Sequence, residues 1–163
     1  MLKFKHRTFL VIVMVLNSWP AIAFRTIASE IAQRANFDRL TLARDFNRAT
    51  SVVNGHTGGS YSLSSIANRD YKNRPCIGYG DPDPDHIIVL EENLAKLTLQ
   101  VDSKGKDTTI IVRGPDNIIR CGDDTGNNKD ANIGDNNWKV GTYRVWVGSI
   151  NPNQNWDYSL YAR

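Results

Sequence analysis

DTTIIVRGPDNIIRCGDD, residues 107–124, decides how the chain is read. Residues 108–112 are all β-branched and favour a pleated strand, and Gly114-Pro115-Asp116-Asn117 has the composition of a reversing loop. A second apolar run, Ile118-Ile119, leads to Cys121. A β-hairpin is the economical reading. Antiparallel pairing brings Asp107, where the first strand begins, to the same end as Asp123 and Asp124, where the second stops.

Further strands follow on either side. Residues 86–90 (HIIVL) and 94–101 (LAKLTLQV) read as two, and Leu97, Leu99 and Val101 alternate with Lys96, Thr98 and Gln100 as on a half-buried strand. Residues 140–148 alternate likewise, with Tyr143, Val145 and Val147 on one face and Thr142, Arg144 and Trp146 on the other. Strands are also expected in 37–47, around Leu40 and Leu42, in 61–66 and in 156–162. Residues 53–60 read as a glycine-rich loop, and 121–137 as a long polar one. In 68–84 the loop is held extended near its end by Pro82 and Pro84. Seven or eight short strands with frequent turn signals point to an all-β fold, an antiparallel β-sandwich or jelly roll.

At 163 residues, 40% hydrophobic and 23% charged, the chain suits one ordinary globular domain, which excludes the disordered and collagenous classes. Lys3, Lys5 and Arg7, an apolar run over 9–16, and Ala21-Ile22-Ala23 form the pattern of a signal peptide over 1–23. That run is too short to span a bilayer, which takes about 20 residues. Removing it takes three of the 20 basic residues and none of the 17 acidic ones, leaving a neutral mature chain. Neutrality argues against a nucleic-acid partner, and the expected location is periplasmic or extracellular. In 24–54, Ile27, Ile31 and Ala35 recur at helical spacing, so this leader reads as a short helix or flexible segment followed by the first strand. In an oxidising compartment Cys76 and Cys121 are consistent with one disulfide, with two free thiols as the alternative. Neither cysteine has a redox or nucleophilic sequence context.

The chemistry these residues suit best is a hard cation. Calcium takes six to eight oxygens, mixing carboxylates, amides, backbone carbonyls and water. Asp123, Asp124, Asn127, Asn128, Asp130 and Asn132 place such oxygens along one loop, and Asp107 joins from the neighbouring strand end. The competing reading is an Asx-rich loop that turns through its own side-chain hydrogen bonds. Zinc is disfavoured because His6, His56 and His86 are dispersed. Asp85 and His86, adjacent on a strand, point to opposite faces and make a poor acid–base pair. Trp138, Trp146 and Trp156, with Tyr161, offer either a ligand-stacking platform or core packing.

Gly58-Gly59, Cys76 with Gly78-Tyr79, Pro84-Asp85-His86, Asp107-Thr108-Thr109, Gly114-Pro115-Asp116, Cys121 with Asp123-Asp124, Gly141-Thr142-Tyr143 and Val145-Trp146-Val147-Gly148 occur in that order. The set resembles the bacterial pre-peptidase C-terminal-like domains, in particular the small secreted stand-alone versions of cyanobacteria and proteobacteria, over residues 55–163. Asn117 stands where glycine usually follows Gly-Pro-Asp. The resemblance implies a jelly-roll-like sandwich and a non-catalytic module of a secreted protein, with calcium binding in related collagen-binding domains. The resulting expectation is a calcium-stabilised, non-enzymatic binding or structural module whose partner is an extracellular protein or polysaccharide. The alternatives are an accessory or inhibitory domain of a secreted protease system, and a hydrolase using His86 with nearby carboxylates.

Overall fold

The computed structural model describes residues 34–124 and 126–163. The export signal expected over 1–23 and most of the helix expected over 24–36 lie outside these; residues 34–36 are not helical. In chain order the strands are β1 (Arg39–Leu42), β2 (Val52–His56), β3 (Tyr61–Ser62), β4 (Tyr79–Gly80), β5 (His86–Leu90), β6 (Leu94–Asp102), β7 (Thr108–Arg113), β8 (Ile119–Gly122), β9 (Asn132–Trp138), β10 (Gly141–Ser149) and β11 (Asp157–Ala162). They form a sandwich of a seven-stranded and a four-stranded sheet.

The four-stranded sheet runs β2-β11-β6-β9, antiparallel throughout. In the larger sheet β10 is central. One of its edges carries β5 and, further along, β4, while the other carries β7, which pairs in turn with β8. β1 lies parallel to β5, the single departure from the antiparallel arrangement among the described strands.

Alternation explains the core. Leu97, Leu99 and Val101 of β6 meet Ile110 and Val112 of β7 and Tyr143, Val145 and Val147 of β10, all at most 1% exposed. The hairpin strand β7 is buried on both faces, because Ile111 points the other way into a second cluster with Leu63, Cys76, Cys121 and Trp146. The hairpin is β7–β8, as its composition predicts, and Asp116 and Asn117 in its turn take left-handed φ values of 56° and 57°. Asp and Asn are among the residues that accept that conformation.

Three expectations are corrected. Residues 52–56 form strand β2 instead of a loop: its Gly55 sits where a Cβ would lie 2.6 Å from the Tyr158 hydroxyl and 2.8 Å from the Phe37 ring, so the glycine serves close packing, not a turn. The strand expected over 61–66 stops after Ser62, where a 3-10 turn over Leu63–Ser65 drives Leu63 into the second cluster. The polar loop expected over 121–137 ends early, because residues 132–138 are β9. Its Ile133 and Trp138 supply the core, and the buried Asp135 is satisfied by partners distant in sequence.

Candidate functional site

The hairpin converges its acids as antiparallel pairing requires. One carboxylate oxygen from each of Asp107, Asp123 and Asp124 can be chosen so that all lie within 4.8 Å of one another. Their backbone is firmly held. The Cys76–Cys121 disulfide, with a Cα–Cα distance of 5.4 Å, anchors β8 two residues before Asp123. A Cβ on Gly122 would come within 2.1 Å of the Asn132 carbonyl oxygen, so only glycine lets β8 approach the next segment this closely. The Asn132 amide donates to the Asp123 carbonyl (3.2 Å) and the Ile150 amide to the Asp107 carbonyl (3.1 Å).

The electrostatics of this end are unbalanced. Asp123 Oδ1 is buried and has no hydrogen-bond partner; among the described residues Thr109 Oγ1 is the other buried side-chain atom in that condition. Burial first, then the Asp124 and Asp107 carboxylates, push the Asp123 carboxyl above the ordinary carboxylate range. Lys129 supplies a countercharge: its Nζ lies 2.9 Å from Asp107 Oδ2, and that contact raises the ammonium pKa. The side chain is more than half exposed, so it holds Asp107 from the solvent side.

The remaining predicted ligands go elsewhere. Asp130 is buried and accepts hydrogen bonds from the Ser103 amide (2.8 Å), the Ser103 hydroxyl and the Gly105 amide (3.3 Å), so it builds the β6–β7 turn. Asn128 Oδ1 accepts from the Asp130 amide (3.1 Å), Asn132 Nδ2 donates to Gln100 Oε1 (2.6 Å), and Asn127 is exposed. Of the expected oxygen donors, the structure brings the carboxylates of Asp107, Asp123 and Asp124 together and engages Asp130, Asn128 and Asn132 in other hydrogen bonds. Backbone N–H groups of a distant turn outcompete any common ligand for Asp130.

No family model matches the chain, and no curated protein matches it. Among solved structures it is similar to the 1.0 Å crystal structure of the pre-peptidase C-terminal domain of collagenase from Bacillus anthracis, at 14% identity and a TM-score of 0.45, over 77% of this chain and 94% of that one.

The other candidates settle into the structure. His86 is fully buried: Nδ1 lies 2.9 Å from the Asp38 carbonyl oxygen and Nε2 2.9 Å from the Tyr158 hydroxyl, so the ring donates to the first and accepts from the second. Burial lowers its pKa, and neither nitrogen contacts a carboxylate. Trp138 and Trp146, 1% and 4% exposed, donate from Nε1 to the carbonyls of Asp135 and Pro82, while Trp156 is half-buried. A platform shared by Trp138, Trp146 and Trp156 is therefore corrected: Trp138, on β9 of the smaller sheet, packs in the main core, and Trp146, on β10 of the larger sheet, in the second cluster.

Sequence reasoning missed the Arg120–Asp135 pair, which joins the two sheets at 3.0 Å with both side chains under 5% exposed. Arg120 also lies over the rings of Trp138 (4.2 Å) and Tyr71 (5.3 Å). Burial alone would raise the Asp135 carboxyl. Hydrogen bonds from Lys72, Tyr71, the Asn136 amide and Arg120 instead hold it well below the usual range. No helix among the described residues is long and apolar enough to cross a membrane.

Proposed function

We propose that the protein is an exported, non-catalytic β-sandwich module of the pre-peptidase C-terminal-like type. It acts as a binding or structural element at the cell surface or in the matrix, and Asp107, Asp123 and Asp124 hold a stabilising calcium ion. The order of the sequence motifs supports the type, and the disulfide supports an oxidising compartment. The observation that carries the calcium reading is the buried, unpartnered Asp123 Oδ1 within a triad of carboxylates.

The donor set fits. Oxygens on opposite sides of a calcium ion lie about 5 Å apart, which matches the spread of the triad. A divalent cation would give Asp123 Oδ1 the partner it lacks and offset the mutual repulsion of three carboxylates. Lys129, whose side chain is largely in solvent, would be displaced from Asp107 by the stronger charge. Differential scanning calorimetry of chelator-treated protein with added calcium tests the reading. The expected result is a melting temperature that climbs with calcium concentration in wild type and stays flat in Asp123→Asn, because ligand binding to the folded state alone stabilises it. No shift at millimolar calcium sinks the proposal.

A further inference from the structure

The four-stranded sheet is notched along β6. That strand is nine residues long, and β11 pairs with its second half, Ala162 lying opposite Leu99. The last rung joins Thr98 to Arg163, which exchange hydrogen bonds of 2.7 and 2.8 Å. In an antiparallel ladder every second residue turns its N–H and C=O toward the same neighbour. Lys96 therefore presents both groups along the line of β11, past the point where pairing with β11 has ended, and among the described residues no backbone group meets them there. Residues 44–48, which lead into β2, form the other side of the notch. The Ala162 amide donates to the Ser51 carbonyl (2.9 Å), so the line of β11 runs on between this segment and β6. A cavity of about 590 Å³ occupies that space.

The charge of the notch is independent of its backbone and points to the same kind of guest. Arg44, Arg48 and Lys96 line the cavity against one acid, Asp45, while Phe46 and Ala95 add apolar surface. Among the described residues neither Arg48 nor Lys96 belongs to an ion pair. Arg44 already holds a carboxylate: its amide and guanidinium lie 3.2 and 2.6 Å from the two oxygens of Glu92. We propose that the notch takes a short, extended acidic peptide segment of a partner protein, added as a strand beside the first half of β6. The guest's main chain pairs with Lys96, its carboxylates meet Arg48 and Lys96, and a side chain on its other face rests on Phe46 and Ala95. An acidic polysaccharide would satisfy the cations but has no main chain to continue the ladder. A second copy pairing edge to edge would set Lys96 against Lys96, which like charges oppose. This deepens the binding role proposed above, and it uses no residue of the carboxylate triad.

The test is a titration of the full chain in chelator, followed by amide chemical shifts and hydrogen exchange, so that its failure leaves the calcium reading untouched. Acetyl-Glu-Val-Glu-Val-Glu-amide should bind saturably, move the Lys96 and Arg48 resonances, and slow exchange of the Lys96 amide at least about fivefold, as a newly bonded N–H does. The Thr98 amide, already bonded to Arg163, is the internal reference. Acetyl-Gln-Val-Gln-Val-Gln-amide should bind at least about fivefold more weakly, the worth of one exposed ion pair. The glutamate peptide N-methylated throughout should lose as much, because it cannot donate to the Lys96 carbonyl. Arg48→Gln, at an exposed position, should weaken the glutamate peptide about three- to fivefold and leave the glutamine peptide unchanged. No binding, a glutamine peptide equal to the glutamate one, undiminished binding by Arg48→Gln, or a Lys96 amide that exchanges as before at saturation overturns the proposal. Trigalacturonate binding as tightly as the peptide assigns the notch to a polysaccharide and overturns it too. So does a chain that protects its own Lys96 amide by dimerising, as read by sedimentation.

Discussion

Replacing Asp85 with asparagine should stabilise the protein at alkaline pH and do nothing at acid pH. Asp85 is 4% exposed, and its carboxyl is raised to about 7 by burial, against about 3.9 in an unfolded chain. Between those values the folded protein retains a proton that the unfolded chain has lost, so stability falls as pH rises through the window and levels off above about 7. At about 1.4 kcal/mol per pH unit, three units amount to a penalty of up to about 4 kcal/mol at pH 8. The Asp85→Asn side chain would keep the geometry, its amide oxygen accepting from the Val147 amide while the Asn36 side chain turns to offer its own oxygen. His86 titrates with the opposite sign, because it is buried neutral and unfolding lets it take a proton below about 6.5. Wild type and Asp85→Asn share that contribution, so it cancels in their difference. Urea denaturation of both proteins in chelator at pH 4.5, 5.5, 6.5 and 8 should give a gap that widens from about 1 kcal/mol to roughly 3–4 kcal/mol. A gap independent of pH, or a variant less stable than wild type at pH 8, refutes the reasoning.

Three further outcomes follow from the same contacts. Asp123→Asn should raise the stability of calcium-free protein while removing any calcium-dependent increment, a reversal of sign visible in melting curves with and without calcium. Arg120→Met should cost about 3 kcal/mol in urea denaturation, because it withdraws a buried charged partner from Asp135 and leaves only Lys72 and Tyr71 on that carboxylate's side-chain side. Cys76→Ala with Cys121→Ala releases a 45-residue closure and should lower stability by about 4 kcal/mol in the chain-entropy model; a loss under about 1 kcal/mol by the same assay would contradict it.

The fold was legible wherever side chains alternate cleanly between core and solvent. β5, β6, β7 and β10 announce themselves through Ile, Val, Leu and Tyr in apolar or alternating runs, and the observed bounds differ from the expected ones by a residue or so. β9 hid because an Asn-rich strand can be held by partners no local pattern reveals. Asp135 faces inward only because Arg120, Lys72 and Tyr71 arrive from elsewhere in the chain. β2 hid for a related reason: Gly55 looks like a turn residue, yet it makes room for the ring of Tyr158 on the neighbouring strand β11. In both, a long-range contact overrides local propensity, as it commonly does in sheets.

The carboxylate triad was legible for a topological reason and incomplete for an energetic one. A hairpin puts the start of its first strand beside the end of its second whatever the side chains are, so Asp107, Asp123 and Asp124 could be grouped from the order of residues alone. Pairing does not say which oxygens of the adjoining loop remain free to face that end. Asp130 was drawn off by the amides of Ser103 and Gly105, and Asn128 by the amide of Asp130, because unpaired N–H groups in tight turns compete strongly for short acidic and amide side chains. Asp123 Oδ1 is left without a donor: Gly122 presses its strand end against Asn132, and the Asn132 amide there donates to the Asp123 backbone carbonyl instead of the side chain. The same close packing buries Asp123 Oδ1, the unpartnered oxygen on which the proposed calcium site rests.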